Sequence, residues 1–253
     1  MPATLSLPRD GAELRRINAQ LETLSLTEFL RWSLDTFGEK IAHVTSFGAS
    51  GVVILDHLLR IKPDARIVTL DTQFLFGETY ELWERIERRY ATRIEVIRPA
   101  LSPEQQASQY GPDLWGSEPD LCCNLRKVQP LASALAGLEG WYTGIRRDQG
   151  STRAGTQLVA WDTRYGLFKL SPLAAWTRAD VWRYIRDNDV PYNALHDAGY
   201  SSIGCTYCTQ PPANGEDERS GRWAGKGKTE CGLHWAQPLT EPLTEPLTGS
   251  RPA

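Results

Sequence analysis

Five cysteines fall into three clusters: the adjacent pair Cys122 and Cys123, the pair in Cys205-Thr-Tyr-Cys208, and Cys231 within Lys226-Gly-Lys-Thr-Glu-Cys-Gly-Leu-His234. An odd number is a poor disulfide framework, and the N-terminal stretch lacks a charged n-region followed by an apolar one. A reducing cytoplasm is therefore expected, with the thiols as metal ligands or nucleophiles. A lone cysteine is ordinarily a small buried apolar residue, which is a weak account of five in tight clusters. Four thiolates at 122, 123, 205 and 208 suit zinc or an iron–sulfur group. Adjacent cysteines turn poorly onto one ion, whereas a cubane offers several irons around a larger core. One [4Fe-4S] cluster per chain is thus expected ahead of zinc, with a vicinal disulfide as the remaining alternative. Cys231 is then left over in a glycine-rich stretch with cations nearby, a candidate nucleophile.

A second kind of chemistry is suggested by Ser46-Phe-Gly-Ala-Ser-Gly51. A glycine-containing loop between a strand and a helix presents N–H groups at a helix N-terminus, which suits phosphate or sulfate. It has neither the lysine of a Walker A loop nor the GxGxxG spacing, and an ordinary tight turn is the competing reading. Asp71-Thr72, at the end of the next expected strand, has the same status.

The elements that must position these residues follow from periodicity. Leu14, Ile17, Leu21 and Leu24 have helical spacing, and Ser25-Leu-Thr-Glu28 reads as a capping box for a second helix. Strands are expected at 41–46, 65–70, 93–97 and 140–145, and helices over 52–61 and 78–90. Thr177-Arg-Ala-Asp180 matches a capping box for a helix over 181–186. Strands alternating with helices imply an α/β fold, a mostly parallel sheet with helices on both faces and ligands at the carboxyl ends of the strands. The organisation expected is N-terminal helices over 1–38, a nucleotide-binding α/β domain over 39–200, and a mobile segment over 201–236 with cluster ligands and nucleophile. The LTEP-repeat tail over 237–253 is expected to be disordered. A net charge of −3 over 253 residues argues against bulk binding of nucleic acid or anionic membrane. No apolar run nears the roughly 18 residues of a membrane span.

Taken together, Thr45-Ser-Phe-Gly-Ala, Leu70-Asp-Thr, Cys122-Cys-Asn-Leu-Arg-Lys127, Thr143-Gly-Ile-Arg-Arg-Asp148, Ser202-Ile-Gly-Cys-Thr-Tyr-Cys208, Arg219-Ser-Gly-Arg222 and Glu230-Cys-Gly-Leu-His234 resemble the assimilatory adenylyl-sulfate and phosphoadenylyl-sulfate reductase family. That family lies within the Rossmann-like PP-loop nucleotide-binding proteins. The resemblance spans about residues 40 to 235. It implies that Cys231 attacks the sulfur of adenosine 5′-phosphosulfate, expelling AMP and leaving an S-sulfocysteine from which thioredoxin or glutaredoxin releases sulfite. It implies a cluster on Cys122, Cys123, Cys205 and Cys208, and phosphosulfate contacts from Lys127, Arg219 and Arg222. The nucleotide would lie along Ser46, Phe47, Gly48, Ala49 and Ser50, with Leu70, Asp71, Thr72, Arg146 and His234 as further contacts. Cluster-bearing members of the family tend to use adenylyl sulfate; arginines such as Arg146, Arg147 or Arg153 could instead receive a 3′-phosphate. Cations around the phosphosulfate relieve its repulsion of a thiolate. Glu230 beside Cys231 would raise the thiol's pKa, with Lys228 and His234 opposing it. Two other classes remain: an ATP-dependent adenylating or thiolating PP-loop enzyme, which usually carries SGGxDS at the loop, and a zinc-ribbon-like module, which leaves Cys231 unexplained. A homo-oligomer is left open.

Overall fold

The computed structural model describes residues 7–212, 218–224, 228, 230 and 232–234. Cys231, Gly225, Gly227, Lys226 and the LTEP-repeat tail lie outside the described residues. Helix α1 (Gly11–Leu21) buries Leu14, Asn18 and Leu21 along one stripe and stops before Leu24, which is exposed. The expected Ser25–Glu28 capping box opens α2 (Leu26–Phe37). β1 (Ile41–Thr45) leads into α3 (Ala49–Ile61), β2 (Ile67–Leu70) into α4 (Gly77–Tyr90), and then β3 (Glu95–Ile97). Helix α3 begins three residues earlier than its apolar periodicity suggested, because Ala49, Ser50 and Gly51 form its first turn after Gly48. Three short helices, α5 (Pro103–Tyr110), α6 (Leu114–Ser117) and α7 (Pro119–Cys123), precede a π-helical turn over Asn124–Val128 and α8 (Gln129–Leu135). β4 (Gly140–Tyr142), β5 (Val159–Asp162), β6 (Leu167–Leu170) and α9 (Arg178–Asp187) follow, the last opened by the expected Thr177–Asp180 box.

The described strands form one sheet of order β3-β2-β1-β4-β6-β5, parallel except for the β5–β6 hairpin at one edge. Side chains alternate across it. Ile41, Ile67 and Tyr142 join the core beneath α1–α4 and α9, whereas Ala42, Val68 and Trp141 face α8 through Leu131, Ala134 and Leu135. Helix α3 carries Val52, Val53, Ile54, Leu55 and Leu58 into that larger core, each worth about 1.5–3 kcal/mol relative to exposure. The outer edge of β5 is capped by α1: Asn18 Nδ2 donates to Val159 O and Val159 N donates to Asn18 Oδ1, both at 2.9 Å. No helix among the described residues is long and apolar enough to cross a membrane.

Candidate active site

A cavity of about 210 Å³ opens at the carboxyl ends of β1, β2 and β4, where the parallel topology places ligand sites. Its floor is the turn into α3. Thr45 Oγ1 accepts from Phe47 N at 3.0 Å, and Phe47 takes a left-handed φ of 58°. That conformation costs a bulky residue about 1–3 kcal/mol; the Phe47 ring is buried and stacks on Trp83 at 5.9 Å. Gly48 puts no side chain over the α3 N-terminus, so the first-turn N–H groups keep their affinity for an anion. A Cβ on Gly51 would lie 2.6 Å from Thr45 Oγ1, and one on Gly144 would lie 3.2 Å from Gly51 N. Beneath the turn, buried His43 places Nε2 3.0 Å from Gly51 O, and the carbonyl can only accept. Burial pushes the His43 pKa down to about 4, so its imidazole is neutral at pH 7.

The walls carry cations already matched to carboxylates. Arg146 is 1% exposed and donates to Ser50 Oγ, Asp148 Oδ1 and Glu218 Oε2. Arg153 grips Glu230 with Nε at 2.7 Å and Nη2 at 2.8 Å, and Arg219 Nη2 reaches the same carboxylate at 3.1 Å. Burial pushes the Glu230 pKa up, but the Arg153 hydrogen bonds and the charges of Arg153, Arg219 and Arg222 outweigh it, leaving the carboxyl below its ordinary value. Arg222 donates to Ser202 Oγ and Ile203 O and lies over the Trp223 ring at 4.6 Å. His234 stacks on Trp141, 5.8 Å between centroids. Burial first, then Lys169, Arg153 and Arg219, hold its pKa well below the ordinary value.

Next to this cavity lies a smaller one lined by Cys122, Cys123, Cys205 and Cys208 with Phe74, Trp115, Arg126, Lys127 and Tyr207. Cys122 and Cys123 end α7; Cys205 and Cys208 flank a tight turn in which Cys208 N donates to Cys205 O. All four are buried and outside any disulfide. The Cys122 pKa is pushed up to about 11, first by burial and then by the other three thiols. Burial also raises Cys208. Thr72 Oγ1 is 3.3 Å from Cys205 Sγ. Arg126 Nη2 and Trp223 Nε1 are buried without a hydrogen-bond partner among the described residues, and Arg126 lines this pocket. Among the described residues no three His, Cys, Asp or Glu are gathered for a single metal ion. Four soft thiols with the orphaned Arg126 donor fit an anionic, multi-metal group whose binding would displace the thiol protons. Lys127 and Cys205 line both cavities.

Residues 40–211 match the family model for the phosphoadenosine phosphosulfate reductase domain. The chain belongs to this reductase family. It is 49% identical to the adenosine 5′-phosphosulfate reductase of Shouchella clausii over 226 residues, 89% of this chain and 94% of that one. It is also 49% identical to adenosine 5′-phosphosulfate reductase 2 of Bacillus subtilis, over 82% of this chain and 88% of that one. Among solved structures, the phosphoadenylyl-sulfate reductase of Candida auris, a phosphate complex, superposes with a TM-score of 0.73 at 33% identity, covering 81% of this chain and all of that one. An FMN adenylyltransferase of Candida glabrata shares the α/β fold alone, at 12% identity and a TM-score of 0.55 over 94% of this chain and 83% of that one.

Within this reductase fold, the cavity gathers Ser46, Gly48, Ala49, Ser50, Leu70, Thr72, Lys127, Arg146, Arg219, Arg222 and His234 from the expected contacts. Two expected contacts do not line it. Phe47 turns into the core beneath the loop, and Asp71 accepts from Tyr80, Arg98 and the Gln73 N–H. Sequence reasoning did not single out His43, Arg126, His196, Gly204 or Glu218. A histidine in an otherwise apolar and β-branched strand was the available signal for the first, and membership of the quoted motifs around Cys122 and Cys205 for Arg126 and Gly204; His196 and Glu218 gave none. Arg147 turns away from the cavity, donating to Thr156 O and Glu22.

Proposed function

We infer that this chain is an adenosine 5′-phosphosulfate reductase, producing sulfite and AMP in sulfate assimilation. The observation that carries the reading is its 49% identity to chains of that name over most of both lengths. The cavity supports it, with an open helix N-terminus and five cations beside a pocket of four thiols. In the chemistry proposed, Cys231 attacks the substrate's sulfur, the bond from sulfur to the bridging oxygen breaks, and AMP leaves with that electron pair. A thiolate of thioredoxin or glutaredoxin then attacks Cys231 Sγ, and sulfite departs with the pair of the S–S bond. The reductant's second thiol resolves the mixed disulfide, so both electrons come from thiols.

This chain's own residues position and neutralise. The Ser46–Ser50 turn and the α3 N-terminus receive the nucleotide's phosphate. Lys127, Arg219 and Arg222 stabilise the departing phosphate and relieve repulsion of the thiolate. Cys122, Cys123, Cys205 and Cys208 would hold a [4Fe-4S] cluster. When bound it supplies charge and local structure beside Lys127. Neutral His234 offers a hydrogen bond rather than a charge.

The test measures products. Reduced thioredoxin and adenosine 5′-phosphosulfate should yield AMP and sulfite one for one, and ATP should yield no pyrophosphate. The 3′-phosphorylated substrate should show the lower kcat/KM, in keeping with relatives named for adenosine 5′-phosphosulfate. Pyrophosphate from ATP without AMP from the sulfate would replace this reading with adenylation chemistry.

A further inference from the structure

Glu230 precedes the proposed nucleophile, and its side chain is among the most constrained carboxylates of the described residues. It is 5% exposed, and both oxygens are engaged by cavity-lining guanidinium groups, two donors from Arg153 and one from Arg219. Glu230 is the immediate sequence neighbour of Cys231, and consecutive Cα atoms across a trans peptide are about 3.8 Å apart. Gly232 O accepts from Arg164 Nη1 at 2.6 Å, and Leu233 packs against the cluster of Leu131, Trp141 and Leu167. The bidentate grip of Arg153 on Glu230 is also the geometry an arginine uses on phosphate or sulfate. The carboxylate therefore has two effects of opposite sign. It anchors the nucleophile's neighbour at the anion site, and it withdraws positive potential from that site.

We propose that Glu230 is a positioning residue that ties Cys231 to the arginines of the anion site and weakens anion binding there by its own charge. The proposal rests on the reading of the reaction given above. A side chain that merely stabilised the fold would, when altered, weaken binding and turnover together. The pair of effects proposed here separates them.

The test compares Glu230→Gln and Glu230→Asp with the parent chain. AMP and adenosine are titrated without turnover, and AMP release from adenosine 5′-phosphosulfate is followed in a single turnover without reductant. In Glu230→Gln, AMP should bind about three- to tenfold tighter and adenosine within twofold of the parent, while AMP release slows at least about tenfold. Glu230→Asp keeps the charge and shortens the tether. AMP should bind it within twofold of the parent, with release again slowed. Unchanged or weaker AMP binding by Glu230→Gln overturns the charge effect, and parental release by either variant overturns the tether. If Glu230→Gln does not fold, Glu230→Asp carries the test: slowed release at parental AMP affinity supports the tether, and any other result overturns it. Failure of the parent itself to release AMP would count against the reaction, while the AMP titrations would still report on Glu230.

Discussion

Two walls of one cavity are built by different physics. The wall of residues 45–51, 70–72 and 143–146 hangs from the ends of paired strands. It is locked by close packing and side-chain-to-backbone bonds, with Thr69 Oγ1 donating to Thr45 O, His43 holding the Gly51 carbonyl, and Gly144 packed so that a Cβ there would lie 3.2 Å from Gly51 N. Among its described residues, the wall of 201–234 has little regular structure beyond the bridge of Cys205 to Leu75, and ion pairs tie it on: Glu218 to Arg146, Glu230 to Arg153 and Arg219, and Lys228 to Asp120. Strand-end geometry gives a fixed seat for the nucleotide. Charge pairing gives a wall that anions can compete for, which suits the proposed reaction, in which Cys231 meets a nucleotide and then a second protein.

The largest effect tests the charge-tied wall. Cys231→Ser should bind AMP yet release none from adenosine 5′-phosphosulfate, and the parent chain without reductant should gain about 80 Da of SO₃ on the Cys231 peptide. Added mass on another cysteine would dissolve the division of labour between the five thiols. Next, Cys208→Ser should lose most of about four irons and four sulfides per chain, measured after anaerobic purification; stoichiometric zinc without labile sulfide would refute the cluster.

The strand-built wall is sharpened by Gly51→Val. Its Cβ would fall 2.6 Å from Thr45 Oγ1, so a loss of about 1–3 kcal/mol in urea unfolding is expected, with a raised KM. A wall as adaptable as its partner would show neither. His43 adds a pH dependence of the same wall. Its folded pKa of about 4 is below the unfolded value near 6.5, so between them the unfolded chain binds more protons. Stability is full above pH 6.5 and falls as pH drops toward 4, by about 3 kcal/mol. His57, His196 and His234 are shifted down too and add to the same slope. His43→Gln, able to donate to Gly51 O, should flatten part of the fall in Tm between pH 7 and 5; an unchanged slope would remove His43 from the account. The smallest effect serves as a reference for charge pairs: Lys40→Ala breaks an exposed pair with Glu139 and should cost under about 1 kcal/mol.

The strand-built wall was also the more legible one. Ile41 to Thr45 and Ile67 to Leu70 are short β-branched runs followed by turn residues, and the boxes at Ser25 and Thr177 sit where the helices start. Local pattern failed where the tertiary environment decided. The start of α3 was displaced because Ala49, Ser50 and Gly51 look like turn residues until strand ends and His43 place them. The β5–β6 hairpin went unread because Val159-Ala-Trp-Asp162 and Leu167-Phe-Lys-Leu170 mix apolar and charged residues and lack the β-branched run of β1 and β2. In the charge-tied wall the residue types were visible, but which arginine faces which carboxylate was not. Arg146 with Glu218 and Arg153 with Glu230 are pairs 72 and 77 residues apart. The effect expected of Glu230, raising its neighbour's pKa, took no account of the counter-charges Arg153 and Arg219 on its carboxylate.

Asn18 gives Val159 the two hydrogen bonds that another strand would otherwise supply. An open sheet edge is a template on which a second chain can extend the ladder, the first step of domain swapping and fibril growth. One amide on α1 occupies that template at Val159, so the N-terminal helix contributes to colloidal behaviour as well as to the core. Asn18→Ala would leave the cavity at the strand ends intact and unblock the edge, and its signature would be light scattering in concentrated solution rather than lost turnover.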